Sequence, residues 1–224
     1  MRSHEALEAS WRASVPQRSV QRMTFDDGLV TANLSVSLDG FVAGPNQTLD
    51  DPLGEGGEAV HRWMFEQPDE AQPIVEQILA PRAYIMGRNM FGPIRGEWPD
   101  DEWKGWWGQD PPYHGPVFVL THYPREPVEM EGGTTFHFVT TGIHDALARA
   151  RAAVGGAGRI SVAGGASTVR QYLAAGLIDR IIVSVSPIML GSGECLFEGL
   201  DLELTPIDVL QTELVTHITY DVPR

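Results

Sequence analysis

Ser161-Val162-Ala163-Gly164-Gly165-Ala166-Ser167-Thr168-Val169 is an apolar strand that runs through a glycine pair straight into an amphipathic helix. Glycines let the backbone come close to a ligand. The first turn of a helix offers N–H groups with no internal partner, and the macrodipole adds partial positive charge there. Ser167 and Thr168 bring hydroxyls to the same place. Two readings are open: a cradle for a phosphate, or a tight strand-to-helix connection with Ser167 as its N-cap. The rest of the chain favours the first.

Working outward, Ile143, Ala146, Leu147, Ala150 and Val154 recur at helical spacing before the strand, and Val169, Tyr172 and Leu173 continue a helix after it that closes at Gly176. Thr135–Val139, the uninterrupted apolar run Val117–Thr121 and the short run Ala83–Met86 read as strands, the apolar run as one covered on both faces. Leu29–Ser37 alternates into the turn signal Leu38-Asp39-Gly40. A loop rich in Gly and Asp (44–57) follows, and Asp69 is placed to cap a helix carrying Ile74, Val75, Ile78 and Leu79 to Pro81. Arg180–Ser186 sets Val183 and Val185 against Ser184 and Ser186 and is stopped by Pro187. Ile207–Gln211 and Val215–Tyr220 read as a final antiparallel pair. The expected fold is α/β, a mainly parallel central sheet flanked by helices with an antiparallel C-terminal edge. A single domain is expected over residues 24–224, with residues 1–23 as a flexible N-terminal arm.

A formal net charge of −14 with no basic run excludes a polyanion-binding surface, so nucleic acid is not an expected partner. Cys195 is the only cysteine, which rules out an intramolecular disulfide and a thiolate-rich zinc site and suits a reducing cytoplasm. No apolar run approaches the ~20 residues of a membrane span, and the N-terminus lacks the apolar core of a signal peptide. The expectation is a soluble cytoplasmic protein that uses no membrane.

Several chemistries fail on spacing. Gly156-Ala157-Gly158 and Gly191-Ser192-Gly193 lack the third glycine of a dinucleotide fingerprint, and no Walker A sequence surrounds the lone Lys104. The seven histidines show no HxxxH or HExxH spacing, so no metal is expected. No GxSxG elbow occurs, and Cys195 has no local His partner. Trp98, Trp103, Trp106 and Trp107 fall within ten residues of the long Phe91–Pro116 connection, a lid or an interface whose rings are expected to anchor it to the body of the protein. Asp39, Asp50, Asp51, Glu55 and Glu58 are the acidic candidates near the first loop.

Ser37-Leu38-Asp39-Gly40, Met86-Gly87-Arg88-Asn89-Met90-Phe91, Val119-Leu120-Thr121, Ala163-Gly164-Gly165-Ala166, Ala175-Gly176-Leu177-Ile178-Asp179, Pro187–Gly193 and Leu196-Phe197 form an ordered series. It resembles the dihydrofolate-reductase-like family, and more closely the reductase domain of the bifunctional riboflavin-biosynthesis deaminase-reductase, over about residues 25–222. The resemblance implies NADPH lying along the C-terminal ends of the parallel strands, a small heterocyclic substrate (a pterin, pyrimidine or related C=N, C=C or C=O group) and a homodimer. Carried over by position, Gly87 admits the dinucleotide and Arg88 faces a phosphate. Leu120 and Thr121 end the strand beside the adenosine 2′-phosphate, with His122 and Arg125 as further donors. Ala163, Gly164, Gly165, Ala166, Ser167 and Thr168 receive the pyrophosphate, and Val42 and Ala43 lie against the nicotinamide. Asp39 is the first candidate for proton donor, with Glu66, Glu70 or an ordered water as alternatives. The riboflavin reductases commonly carry a lysine just after the Asp-Gly turn, where Phe41 stands, so a cationic contact to a phosphorylated sugar is missing. The alternative to an enzyme is a non-catalytic nucleotide-binding or interaction module on the same fold, motivated by the absence of an assured proton donor and by the Trp-rich insertion.

Overall fold

Polar and apolar residues alternate along Val30–Ser37 (β1), so one side of this strand is Val30, Ala32, Leu34 and Val36 and the other Thr31, Asn33, Ser35 and Ser37. The computed structural model describes residues 28–92 and 94–223 and places β1 in the interior of a nine-stranded sheet. The arm expected over residues 1–23 lies outside the described residues.

The strands that run parallel to β1 are those read from the sequence: Ala83–Gly87 (β3), Pro116–Leu120 (β4), Thr135–Val139 (β6), Ile160–Gly164 (β7) and Arg180–Ser186 (β8). The order β8-β1-β7-β3-β4-β6 is parallel throughout. Thr205–Gln211 (β10) and Thr216–Asp221 (β11) add the expected antiparallel edge beyond β8. The opposite edge is antiparallel too, because Val128–Glu129 (β5) folds back on β6. Phe41–Ala43 (β2) pairs with Glu194–Cys195 (β9) in a separate two-stranded ribbon that the sequence pattern does not announce.

Five α-helices cover the sheet among the described residues: Arg62–Glu66 (α1), Pro68–Leu79 (α2), Arg88–Phe91 (α3), Ile143–Ala153 (α4) and Ala166–Ala174 (α5). Helices α4 and α5 bury Ala146, Leu147, Ala150, Val169, Tyr172 and Leu173 against Leu34, Ile85, Phe118, Val162 and Val183, which forms the larger core. On the other face, α1 and α2 bury Trp63, Ala71 and Ile74 with Val215, while Trp98, Trp103 and Trp107 pack on Tyr84, Met86, Phe91, Val117, Val119 and Phe136. Trp103 donates its indole N–H to the Phe91 carbonyl at 2.9 Å and Trp98 donates to the Tyr123 carbonyl at 3.1 Å. The Trp-rich connection is therefore anchored to the body, as its composition suggests.

Three local expectations change. Helix α2 begins at Pro68 with Gln67 as its cap, so Asp69 sits in the first turn rather than capping it; proline is pre-set for that position. The first residue of α5 is Ala166 and its cap is Gly165, which puts Ser167 inside the first turn. The stretch before α2 holds a 3-10 turn, Gly57–His61, running into α1. Gly176, at φ +63°, closes the turn after α5, with its N–H on the Leu173 carbonyl and Leu177 N–H on the Tyr172 carbonyl.

Candidate functional site

A cavity of about 920 Å³ opens at the C-terminal ends of β7, β3, β4 and β6, takes in the middle of β1, and runs down the face covered by α1, α2 and the Trp-rich connection. Such strand ends are where open parallel sheets bind ligands, and the volume is at the upper end of the usual range for a small-molecule site. Val42, Ala43, Gly87, Arg88, Leu120, Thr121, His122 and the whole run Ala163–Thr168 line it. Arg125 and Asp39 do not line it.

The run from β7 into α5 presents bare main chain. The peptide bond joining Gly164 and Gly165 is cis. A Cβ at Gly165 would meet no atom within 4 Å, so this position faces open space. A Cβ at Gly87 would lie 2.3 Å from the Thr168 hydroxyl oxygen, which shows that Gly87 also lets the first turn of α5 approach the end of β3. Two helices begin on the cavity wall, α3 after Gly87 and α5 after Gly165, and the first N–H groups of a helix have no partner within it. Arg88, at the start of α3, stacks its guanidinium 3.8 Å from the centre of the Trp98 ring and donates to the Gly96 carbonyl. Its Nε and Nη2 are buried without a partner, and burial pulls its pKa down. A stacked, half-satisfied guanidinium on a cavity wall is suited to an anion.

Arg125 goes elsewhere. Its side chain is 3% exposed, packs its guanidinium over Trp98 and Phe138, and pairs with Asp101 at 3.3 Å. It props the Trp-rich connection and does not reach the cavity. Thr121 is in place, but its hydroxyl oxygen accepts from Tyr123 N–H at 3.2 Å and so shapes the turn carrying His122.

The acidic candidates disperse. The Asp39 carboxylate accepts from the Ser37 hydroxyl at 2.6 Å and from the N–H groups of Leu190 and Gly191 at 3.1 and 2.7 Å. These bonds, the Ser37 hydroxyl first, hold its pKa down at about 2. A carboxylate kept ionised in this way is a fastener for the turn and not a proton donor. Glu66 is paired with Arg62 at 2.7 Å on the surface, and neither Glu66 nor Glu70 lines the cavity. Among the described residues, Glu194 of β9 is the only carboxylate on the cavity wall. No spacing signal marks it, because it arrives through the pairing of β9 with β2 about 150 residues away in the chain.

The deeper half has a polar floor and an apolar rim. Asn33 and Ser35 of β1 and Ser161 of β7 form the floor, and Leu53, Met64, Phe65 and Ile78 the rim, with His61 between them. Burial lowers the pKa of His61, which favours the neutral imidazole. Tyr84, Trp106, Trp107 and Tyr113 give the lining its aromatic part. Asn33 and Ser35 belong to the polar side of an alternation that is visible in the sequence, but nothing in the sequence says that this side faces a cavity. Among the described residues no group of three or more His, Cys, Asp or Glu side chains is placed to hold a metal ion, and no helix is long and apolar enough to cross a membrane.

The family model described as the RibD C-terminal domain matches residues 29–221. No curated protein sequence matches the chain. Among solved structures, a protein named for riboflavin biosynthesis from Shewanella sp. PV-4 has a TM-score of 0.61 at 23% identity, over 88% of this chain and 99% of that one. RibD of Acinetobacter baumannii has a TM-score of 0.58 at 16% identity, covering 88% of this chain and 59% of that longer one. A pyrimidine reductase-like protein of Corynebacterium diphtheriae has a TM-score of 0.54 at 15% identity, over 88% and 92% of the two chains.

Proposed function

The chain belongs to the RibD C-terminal domain family, and from that premise we propose that it is an NADPH-dependent reductase that delivers a hydride to a small heterocyclic substrate. One observation carries this reading: bare main chain at Gly165 and the guanidinium-bearing Arg88, two of whose nitrogens have no partner, line one cavity at the strand ends.

The residues present suit the cofactor. Gly164, Gly165 and the first turn of α5, with the Ser167 and Thr168 hydroxyls, would hold its pyrophosphate. Arg88 would pair with a phosphate, and Thr121 and His122 flank the same end. Val42 and Ala43 would border the nicotinamide. The reduced nicotinamide supplies the hydride. The protein positions the acceptor and keeps water out: the floor of β1 and β7 sets the substrate's depth, and the aromatic lining and apolar rim enclose it. Proton delivery falls to Glu194, directly or through a water, since Asp39 is committed to the Leu190 and Gly191 N–H groups. A homodimer, implied by the resemblance, is part of the same proposal and is read from the molar mass in solution.

The test is a titration followed by nicotinamide fluorescence. NADPH is expected to bind in the low micromolar range or better and to outcompete NADH; binding of neither removes the reading.

A further inference from the structure

The half of the cavity that the cofactor would leave free has a chemical character of its own. Ser35 is 7% exposed and lines the floor. The indole N–H of Trp63 donates to its oxygen at 3.1 Å. With that lone pair engaged, the Ser35 proton has no acceptor among the described residues. Trp63 is itself fixed, 2% exposed and edge-on to the His217 ring with centroids 4.6 Å apart. His217 bonds the Ser184 hydroxyl through Nδ1 at 2.7 Å. A chain of buried groups thus ends in one hydroxyl with a proton to give at the cavity floor.

The charges on the wall complete the argument. Among the described residues only Arg88 and Arg95 bring cations to it, both from the segment at the phosphate end. The rim around the deeper half is Pro52, Leu53, Met64, Phe65 and Ile78, with Phe65 74% exposed, and the one carboxylate is Glu194. Arg62, the cation nearest in sequence, is on the surface with Glu66 and off the wall. A phosphate placed here would lose its water without gaining a positive partner, which disfavours it. A flat uncharged ring would lose little and gain one directed bond.

Resting on the reductase reading, we propose that the substrate is an uncharged, unphosphorylated planar heterocycle, with a ring carbonyl or ring nitrogen that accepts a hydrogen bond from the Ser35 hydroxyl. Trp63 acts as a positioning residue for that hydroxyl.

The test uses the full chain saturated with NADP+, so that binding is read by calorimetry without turnover. Matched probes are 6-hydroxymethylpterin with its phosphate ester, and uridine with uridine 5′-monophosphate. At least one neutral member is expected to bind ten times or more tighter than its phosphate. Ser35→Ala should weaken that neutral probe about tenfold, and Trp63→Phe, which keeps a ring against His217 but removes the N–H, about threefold. NADP+ affinity should not change in either variant, which separates a lost contact from a damaged fold. Phe65→Arg, a change at an exposed rim position, should raise the affinity of the phosphorylated member. The proposal fails if the phosphorylated members bind as tightly as the neutral ones, if neither neutral member binds, or if Ser35→Ala leaves binding unchanged. Should the wild-type chain bind no NADP+ or NADPH, it is the reductase reading that fails.

Discussion

Asp39 and Glu194 show how two carboxylates that look alike in a sequence separate once their partners are known. Asp39 takes three hydrogen bonds and sits off the cavity, whereas Glu194 faces it. Asp39→Asn is expected to lower the melting temperature by several degrees and leave the pH dependence of turnover unmoved. Glu194→Gln should cut kcat by roughly 10²-fold or more and remove the corresponding limb of the pH profile, with NADPH affinity retained. NADPH oxidation with the tightest-binding heterocyclic probe distinguishes the two. Gly165 supports a second prediction at this scale. Its backbone is in an extended region at φ −75° and its missing Cβ would point into open space, so Gly165→Val should leave thermal unfolding within a few degrees of wild type while weakening NADPH tenfold or more. Gly164 is a poorer probe, since it sits at φ +141° with the Met90 sulfur 3.0 Å from the Cβ position. The glycine pair was legible in the sequence as bare main chain between a strand and a helix because its chemistry is local. Arg125 was not, because an arginine's destination depends on rings contributed by Phe91, Trp98 and Phe138.

The joints between elements matter as much as the elements. Helix α5 approaches β3 so closely that the Thr168 hydroxyl oxygen occupies the space beside Gly87. Gly87→Ala should push the two apart and cost about 1–3 kcal/mol of stability, measured by urea unfolding, and it should weaken NADPH because α3 and α5 both begin on the cavity wall. Strands β1, β3, β4, β6, β7 and β8 were readable from runs of apolar residues, and α4 and α5 from helical spacing. The pieces that escaped were short: β2, β5, β9, α1 and the 3-10 turn at Gly57–His61. Two- and three-residue strands contain no period to read, and they exist because a distant partner offers a hydrogen-bonding edge. Alternation in β1 predicted a two-faced strand correctly, yet which face would meet a core and which a cavity was set by α1 and α2 packing across it.

Across the whole molecule, the face carrying the cavity is divided: serine, asparagine, threonine and histidine side chains on β1, β8 and β11, aromatic and aliphatic ones on β3, β4 and β6. His217 lies in the polar half, 1% exposed, and burial pulls its pKa down from 6.5 to about 4. Between these two values the unfolded chain takes up a proton that the folded chain refuses, so stability rises with pH there and is lost as pH falls from 6.5 toward 4. Asp39 adds a second loss of the same sign at lower pH, as its carboxylate titrates between 3.8 and about 2. His217→Phe should flatten the first part of the melting-temperature profile and leave the second. Parallel order and the antiparallel C-terminal edge were accessible from the sequence because each strand is a strong local pattern; the division of the face was not, because it is a property of neighbours in register.

The Asp39 clasp and the β2–β9 ribbon together join the turn after β1 to the segment 188–195. The two segments are thus fastened twice, by an ion-to-amide clasp and by strand pairing, so a change that frees the Asp39 carboxylate still leaves the β2–β9 ribbon to keep Glu194 in register with Ala43.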